Sequence, residues 1–385
     1  MPEELEGRVR ARLQELQDRQ LLRTLRPPTG IDLSSNDYLG LASHPSLKAR
    51  MIEAVDREGC GSTGSRLLRG DRASFAAIER RFAAFKGTDQ ALYFSSGYLA
   101  NIAVLTTFPE TGDVILSDER NHASLIDGIR LSAAKRAIFP HLDVAALARL
   151  LDEHDGSGQT FVVTESLFSM DGDQAPLADY ASLCRSRGAA LVVDEAHAVG
   201  IFGDRGSGLI ERTGTGGGVF LSIDTAGKAL GVAGAFVSGR AWAIEYLVQR
   251  ARTFIFSTAP PPPVAAALEA SLTLVANEPE RRAALLDRAR HLRERLADAG
   301  LSVPAGSSQI VPVILGDNDR ALAVAQALQR QGFDVRAIRP PTVAPGTARL
   351  RLSVNVNLSE ATLDRFVAAL GAVVGRSLPC SAVSS

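Results

Sequence analysis

Short apolar runs alternate with longer amphipathic segments through most of the chain. The runs are rich in Val, Ile, Leu and Phe, and they predict strands at 91–94, 114–116, 160–164, 190–193, 219–222 and 234–237. Between them, apolar residues recur at helical spacing, as in 72–86, where Gly87 provides a helix stop signal. This alternation predicts a wound α/β sheet with helices on its faces.

The same pattern predicts three segments along the chain. Residues 1–33 are expected to form an amphipathic helix, over 2–26, that packs on the body of the protein, followed by an extended stretch. Residues 34–259 carry the wound sheet and are predicted to form a large domain. Four prolines at 260–263 interrupt the pattern, because proline lacks the amide donor. Residues 260–385 then predict a smaller C-terminal α/β domain, with helical passages at 264–300, 320–332 and 360–374, strands at 310–315, 334–338 and 349–354, and a frayed tail from 377.

Composition excludes several classes of protein. With 385 residues, of which 45% are hydrophobic, the chain can bury a large core, and its net charge of −1 gives no basic field for nucleic acid or a membrane surface. No apolar run approaches the roughly 20 residues of a membrane span, and the start lacks a basic signal-peptide region, so we expect a cytoplasmic location. The scattered Cys60, Cys184 and Cys380 predict reduced thiols rather than a disulfide framework or a metal site.

Lys228 is conspicuous because lysine is rare in this chain. Only four of the 42 basic residues are lysines, and Lys228 lies between Gly227 and Gly231 among small residues. A lysine in such a setting is partly desolvated, which lowers its pKa and favours an amine nucleophile or a Schiff base. The alternative is a surface lysine whose stem covers apolar neighbours.

Polar clusters follow several predicted strands, where function collects in a parallel sheet. Ser95, Ser96, Gly97 and Tyr98 lead into a helical pattern and would present free amides to a phosphate, although a plain turn would have the same sequence. Further clusters are Glu165-Ser166, Asp118 to Ser124 with His122, and Asp194 with His197. The last could be a helicase-type box or a metal pair, but the chain has no nucleotide-binding P-loop.

Taken together, these features resemble the fold-type-I enzymes that use pyridoxal 5'-phosphate (PLP), and more narrowly the α-oxoamine synthases. Segments typical of that family are Ser-Ser-Asn-Asp-Tyr-Leu-Gly-Leu at 34–41, Asn-His-Ala-Ser at 121–124, Phe-Ser-Met-Asp-Gly-Asp at 168–173 and Asp-Glu-Ala-His at 194–197. The resemblance implies the aspartate aminotransferase-like fold. Segments 316–318, 337–343 and 346–352 resemble the members that act in biotin synthesis, which join L-alanine to a pimeloyl thioester of CoA or acyl carrier protein and release CO2.

The resemblance also implies roles for individual residues. Lys228 would carry PLP as a Schiff base and remove the α-proton of alanine, and Asp194 would keep the pyridine nitrogen protonated. His122 would stack on the ring, while His197 and Ser169 would contact its phenolic oxygen. The phosphate would be held by Ser96, Gly97, Tyr98 and Thr225, and by Ser257 and Thr258 of a second subunit, so a homodimer with shared active sites is expected. Asn36 and Arg351 would grip the substrate carboxylate, and Arg23 is a candidate for binding the acyl donor.

Three positions depart from the family pattern, and two other functions stay open. Phe75, Arg69 and Leu358 stand where many relatives have other residues, near the expected acyl or lid region. A sister enzyme that uses glycine, such as a glycine C-acetyltransferase, has nearly the same motifs. A catalytically silent homologue acting as a regulatory subunit is the third possibility, although such proteins tend to lose the lysine.

Overall fold

The structure, a computed structural model, describes residues 3–154 and 158–376; the predicted tail and Cys380 lie outside them. Its strands are β1 (Ile31–Asp32), β2 (Gln90–Phe94), β3 (Val114–Asp118), β4 (Lys135–Phe139), β5 (Thr160–Glu165), β6 (Ala190–Asp194), β7 (Leu221–Thr225), β8 (Ala235–Gly239), β9 (Ile310–Gly316), β10 (Phe333–Asp334), β11 (Ala337–Ile338) and β12 (Ala348–Ser353). Its helices are α1 (Glu3–Asp18), α2 (Pro45–Glu58), α3 (Ala73–Lys86), α4 (Gly97–Thr107), α5 (Ala123–Leu131), α6 (Val144–Glu153), α7 (Leu177–Ser186), α8 (Leu209–Arg212), α9 (Ala241–Arg250), α10 (Arg252–Ile255), α11 (Pro263–Asn277), α12 (Pro279–Asp298), α13 (Asn318–Arg330) and α14 (Glu360–Arg376).

A seven-stranded sheet dominates the larger of two compact units, which comprises residues 36–169 and 173–284. Its strand order is β2-β8-β7-β6-β5-β3-β4, and only β8 runs antiparallel to its neighbours. The predicted wound α/β sheet is therefore confirmed. Because β8 alone is reversed, the carboxyl ends of the other six strands lie at one edge, where binding sites form in such sheets.

Apolar side chains from the sheet and its helices form the core of this unit. On one face, Leu92, Ile115 and Val192 belong to a buried cluster with residues of α4, α5, α9 and α10. On α3, the predicted apolar face is buried at Phe75, Ile78 and Phe82 and half-buried at Phe85, and the helix ends at Gly87 in the left-handed conformation with φ 70°. The Phe82 and Phe236 rings are stacked with centroids 3.9 Å apart, which joins α3 to β8.

Sequence patterning missed one strand of this sheet and misplaced the ends of others. β4 (Lys135–Phe139) is an edge strand with exposed residues, including Ile138, so it lacks the apolar run that marks the buried strands. The predicted helix over 264–300 is two helices, α11 and α12, since Pro279 starts a new one. Likewise the strand predicted at 334–338 is two short strands, β10 and β11.

The smaller unit comprises the described residues up to 35, residues 170–172 and those from 285 onward. Here β9, β12 and β11 form an antiparallel sheet, and β1 pairs in parallel with β10. The helices α13 and α14 contact each other, and α13 also packs on β9 and β12. Leu350, Leu352 and Phe366 are fully buried and belong to its core.

The observed units differ from the three predicted segments. The proline run at 260–263 lies inside the larger unit, because α11 packs against α2 and α3. Residues 1–35 belong to the same unit as the C-terminal segment, since β1 pairs with β10. The compact units therefore have other limits than 33 and 259, and the division into three segments stays a prediction.

The N-terminal helix differs from its prediction in length and in packing. It ends at Asp18 instead of 26: Gln20 has a left-handed φ of 55°, and Pro27 disfavours helix at the residue before it. Its apolar residues Leu5, Val9, Leu13 and Leu16 are 39–48% exposed, so the expected packing on the body of the chain is wrong. Within 3–154 and 158–376, no helix combines the length and apolar character needed to cross a membrane.

Candidate active site

Lys228 lies at the edge of the large sheet where the carboxyl ends of β6 and β7 meet. It follows Thr225, the last residue of β7, by three positions, in the turn that leads to β8. The side chain is half-buried and interacts electrostatically with His122 and Glu165. A surrounding of titratable groups favours the functional interpretation of this lysine over the surface one.

A hydrogen-bonded chain links Asp194 to His122. Asn101 donates from Nδ2 to Asp194 Oδ2 at 2.8 Å and to Ser124 Oγ at 2.8 Å, and Ser124 Oγ is 2.7 Å from Nδ1 of His122. The other oxygen of Asp194 accepts the amide of Ala196 at 2.8 Å. Asp194 and Asn101 are 6% and 1% exposed, so the carboxylate is fixed in position by buried donors.

The environment of His122 favours a neutral ring. Its Nδ1 accepts the backbone amide of Ser124 at 3.2 Å, which leaves Nδ1 unprotonated. Although part of the residue is exposed, partial burial lowers the pKa of His122. The Asp194 carboxylate opposes this shift, and the Lys228 charge adds to it. A neutral imidazole held at its N-cap position is suited to stacking on a flat ligand.

His197 is held by Tyr38 and Asn36. The Tyr38 hydroxyl lies 2.7 Å from Nδ1 of His197 and donates to Oδ1 of Asn36 at 3.0 Å. Since the hydroxyl has one hydrogen and Oδ1 only accepts, Nδ1 of His197 is the donor to Tyr38. His197 is 5% exposed, so its tautomer is fixed by buried partners.

The turn between β2 and α4 has the geometry expected of an anion site. Ser96 caps α4, with its Oγ accepting the amide of Leu99 at 3.2 Å, and Gly97 is the first helical residue. A side-chain carbon on Gly97 would lie 2.5 Å from Oγ1 of Thr225, so only glycine leaves this space open. Tyr98 is 45% exposed and its hydroxyl bonds to Asp127, which raises the pKa of Tyr98.

Glu165 is a buried carboxyl group that the sequence marked as part of a strand-end cluster but to which it assigned no role. It ends β5, accepts the backbone amides of His122 and Ser169, and has no hydrogen-bond partner for Oε1 among the described residues. Burial and the nearby Asp194 carboxylate raise its pKa well above the usual value. An unsatisfied buried oxygen beside Lys228 indicates that a ligand completes this site.

Asn101 was also missed, and the signal was present. It lies one helical turn after Gly97 and is the polar residue in the otherwise apolar stretch Asn101 to Leu105, with its side chain 1% exposed. A buried amide in such a helix requires partners, which here are Asp194 and Ser124.

The remaining predicted site residues of the larger unit occupy two places. Ser169 is 9% exposed and follows β5, where its amide binds Glu165. Ser257 and Thr258 line a small cavity with Ser95, Arg66 and Phe94.

The three departures from the family pattern lie outside this cluster. Phe75 is fully buried and stacks on Tyr93 with centroids 6.2 Å apart, so it belongs to the core and not to a lid. Arg69 is exposed, and Leu358 is 4% exposed in the smaller unit. The change at Phe75 therefore alters core packing.

Arg351 and Arg23 belong to the smaller unit. Arg351 lies on β12, is 7% exposed, and donates from Nη1 to Ser353 Oγ at 2.7 Å. Burial lowers the pKa of the Arg339 guanidinium, and the charge of the nearby, exposed Arg23 lowers it further. Two positive charges placed together favour an anionic ligand.

These features define a PLP-dependent enzyme of fold type I. A sequence model of the family described as aminotransferase class I and II matches residues 28–370, and the chain belongs to that family. Among curated relatives, 8-amino-7-oxononanoate synthase of Geobacter sulfurreducens is 44% identical over 96% of this chain and 98% of its own length.

Solved structures show the same fold. A serine palmitoyltransferase from S. paucimobilis, with PLP bound to myriocin, has a TM-score of 0.89 at 30% identity and covers 96% of this chain and 97% of its own. The 8-amino-7-oxononanoate synthase of Francisella tularensis has a TM-score of 0.78 at 30% identity, covering 90% of this chain and 98% of its own. The resemblance noted in the sequence motifs is thereby confirmed.

Proposed function

We propose that this enzyme condenses L-alanine with a pimeloyl thioester, of CoA or acyl carrier protein, to give 8-amino-7-oxononanoate, CO2 and the free thiol in biotin synthesis. The observation that carries the proposal is the buried chain Asp194–Asn101–Ser124–His122 next to Lys228, in a protein whose curated relatives are named for this reaction. We expect it to act in the cytoplasm.

The residues at the sheet edge fit PLP. Free amides at the start of α4 and the space between Gly97 and Thr225 suit a phosphate, with Ser96 and Tyr98 beside them. Bound there, PLP would act as the electron sink for the carbanion formed at the substrate's α-carbon. The proposed phosphate contacts also include Ser257 and Thr258 of a second subunit.

Each polar group near Lys228 has a task in this proposal. The Lys228 amine would hold the cofactor and later remove the α-proton of alanine. Asp194, oriented by Asn101, would keep a pyridine nitrogen protonated through charge pairing. The neutral His122 ring would stack on the cofactor, and His197 and Ser169 would contact its phenolic oxygen.

Substrate recognition is assigned to three further residues. Asn36 and Arg351 would bind the alanine carboxylate, because a guanidinium offers a planar pair of donors. Holding that group would turn the breaking bond at the α-carbon out of the cofactor plane. Only in that orientation can the bond break productively. Arg23, close to Arg339, would bind an anionic group of the acyl donor, either the pimeloyl carboxylate or a phosphate.

A substrate-pair assay tests the proposal. The purified enzyme is offered L-alanine with pimeloyl-CoA and, separately, glycine with acetyl-CoA, and release of thiol and CO2 is measured. We expect kcat/KM for the first pair to exceed that for the second by at least about 10-fold, since small side-chain differences change discrimination by that order. Turnover of the second pair alone would establish a glycine C-acetyltransferase.

The same preparation separates catalysis from a regulatory role. A colourless protein that takes up no PLP and turns over neither pair would be the silent homologue. The presence of Lys228 with a complete set of buried partners for Asp194 favours catalysis.

We further propose that the enzyme is a homodimer with shared active sites. Leu5, Val9, Leu13 and Leu16 form one apolar stripe along α1 that is exposed in the single chain, and Phe256, directly before Ser257, is 71% exposed. Apolar surface of this kind is normally covered by a partner. A second copy of the chain is the occupant that would also bring Ser257 and Thr258 to a neighbouring site.

Aspartate substitutions in the α1 stripe are expected to weaken the dimer. Sedimentation velocity at micromolar concentration should give twice the 40.8 kDa chain mass for the unaltered protein. Val9→Asp with Leu13→Asp should shift it toward monomer, because each buried carboxylate costs several kcal/mol. The matched control, Ala11→Asp with Gln14→Asp on the opposite face of α1, should stay dimeric. A monomeric unaltered protein contradicts the proposal.

A further inference from the structure

His141 lies between two carboxylates outside the cluster around Lys228. It follows β4, and its Nδ1 is 2.9 Å from Asp118 Oδ1 while its Nε2 is 2.8 Å from Asp173 Oδ2. The side chains of His141 and Asp118 are 8% and 0% exposed. The Phe168 ring meets the imidazole edge-on, with centroids 4.4 Å apart.

This geometry requires a charged imidazole. Ionised carboxylates only accept hydrogen bonds, so both ring nitrogens of His141 must carry hydrogen. Burial alone would lower the pKa of His141, but its bonds to Asp118 and Asp173 raise it to about 9. Tyr180 also lies close enough to Asp118 to interact with it, and burial, together with the nearby carboxylates of Asp118, Asp143 and Asp179, raises the pKa of Tyr180, so His141 titrates first as pH rises.

Each of the two aspartates shapes a backbone segment that reaches the candidate active site. Asp118 accepts the amide of Arg120 at 2.8 Å through Oδ1, and its carbonyl accepts the amide of Asn121 at 3.3 Å, which forms the turn before His122. The carbonyl of Asp173 accepts the amide of Phe168 at 3.0 Å, which fixes the residue before Ser169.

The two segments then meet at one group. The amides of His122 and Ser169 both donate to Glu165, which lies near Asp194 and Lys228. His141 therefore connects, through Asp118 and Asp173, the two backbones whose amides converge on that carboxyl.

We propose that His141 is a positioning residue, an imidazolium at neutral pH that holds the backbones of His122 and Ser169 in place at the active site. Its two ring nitrogens bond to the carboxylates of Asp118 and Asp173, and it acts through these two residues. Its effect on turnover rests on the proposed function, whereas its charge does not.

Two variants and a matched control test this role. His141→Gln keeps a donor but removes the charge, and Asp173→Asn, at a residue 28% exposed, is the milder change should the first not fold. His291→Gln removes another histidine–aspartate pair, 3.0 Å from Asp364 in the smaller unit, and serves as control.

We expect kcat to fall about 10- to 100-fold in His141→Gln, with a smaller change in the KM for alanine, because displacing a reacting group by about 1 Å costs that order in rate. The pH midpoint of the visible cofactor band should also shift, since under the proposed function Ser169 contacts the phenolic oxygen. His291→Gln should change neither. In nitrogen-15 NMR of the six histidines, the signal lost in His141→Gln should be that of an imidazolium at neutral pH that titrates near pH 9.

Two results overturn the inference. One is a His141 ring that is neutral at neutral pH. The other is that His141→Gln and Asp173→Asn fold with lower melting temperatures but leave kcat and the titration of the cofactor band unaltered. His141 would then have a purely stabilising role. If the unaltered protein takes up no PLP, the proposed function fails, while the NMR result still decides the charge of His141.

Discussion

Lys228→Ala is expected to abolish both catalysis and the visible absorption band of bound PLP. Loss of the amine removes the covalent link to the cofactor and the base for the α-proton, and general-base catalysis alone contributes about 10²- to 10⁴-fold. We therefore expect kcat for thiol release from pimeloyl-CoA to fall by at least about 10³-fold. Steady-state thiol release and the absorption spectrum of the reconstituted variant measure the two effects.

Two companion variants show whether the amine itself is required. Lys228→Arg retains the positive charge next to Glu165 but cannot deprotonate, so it should be as inactive as the alanine variant. Lys135→Ala, at an exposed lysine on β4, should leave turnover and spectrum unaltered. A Lys228→Ala enzyme that retains its rate and its visible band would refute the assignment.

The sheet was predictable because its strands are buried on both faces. Runs such as Val162-Val163 and Leu191-Val192-Val193 are apolar throughout, and each leads directly to a polar residue at the strand end. Glu165 and Asp194 mark those ends in the sequence. β4 escaped prediction because an edge strand with exposed residues carries no such run.

The site was predictable where a residue's role follows from its place at a strand end, and less so where its role is to support another residue. Lys228, Asp194 and His197 stand at such ends. Asn101, which orients Asp194, lies on a helix 93 positions earlier in the chain, so local patterning cannot pair them. His141 and its partner Asp173 are separated by 32 positions for the same reason.

The N-terminal helix α1 has an apolar face that is exposed in the single chain. Its apolar spacing predicted burial, but Leu5, Val9 and Leu13 are exposed, and no surface within the described residues of the chain covers them. An amphipathic pattern states that an apolar face needs a partner and does not state which molecule provides it.

A lysine with a buried side chain, Lys86, holds the ends of β6 and β7 in place. Its Nζ donates to Glu195 Oε2 at 2.8 Å, to Asp224 Oδ1 at 2.9 Å and to the carbonyl of Ser207 at 2.6 Å. Both carboxylates have fully buried side chains. Burial lowers the pKa of Lys86, but Asp224 and Glu195 more than offset this and raise it, so the lysine stays charged.

Lys86→Met is therefore expected to lower the free energy of unfolding by about 3–5 kcal/mol, because it leaves two buried carboxylates without their cation. Urea unfolding at neutral pH measures the loss, and Lys48→Met, at an exposed lysine, should change it by less than about 0.5 kcal/mol. The unpaired carboxylates would have raised pKa values, so the loss should shrink as pH falls and they take up protons. Adding Glu195→Gln and Asp224→Asn should recover part of the stability. Because Glu195 follows Asp194 and Asp224 precedes Thr225, Lys86→Met should also bind PLP more weakly. Equal stability of Lys86→Met and Lys48→Met would show that the buried charges are not coupled as the distances require.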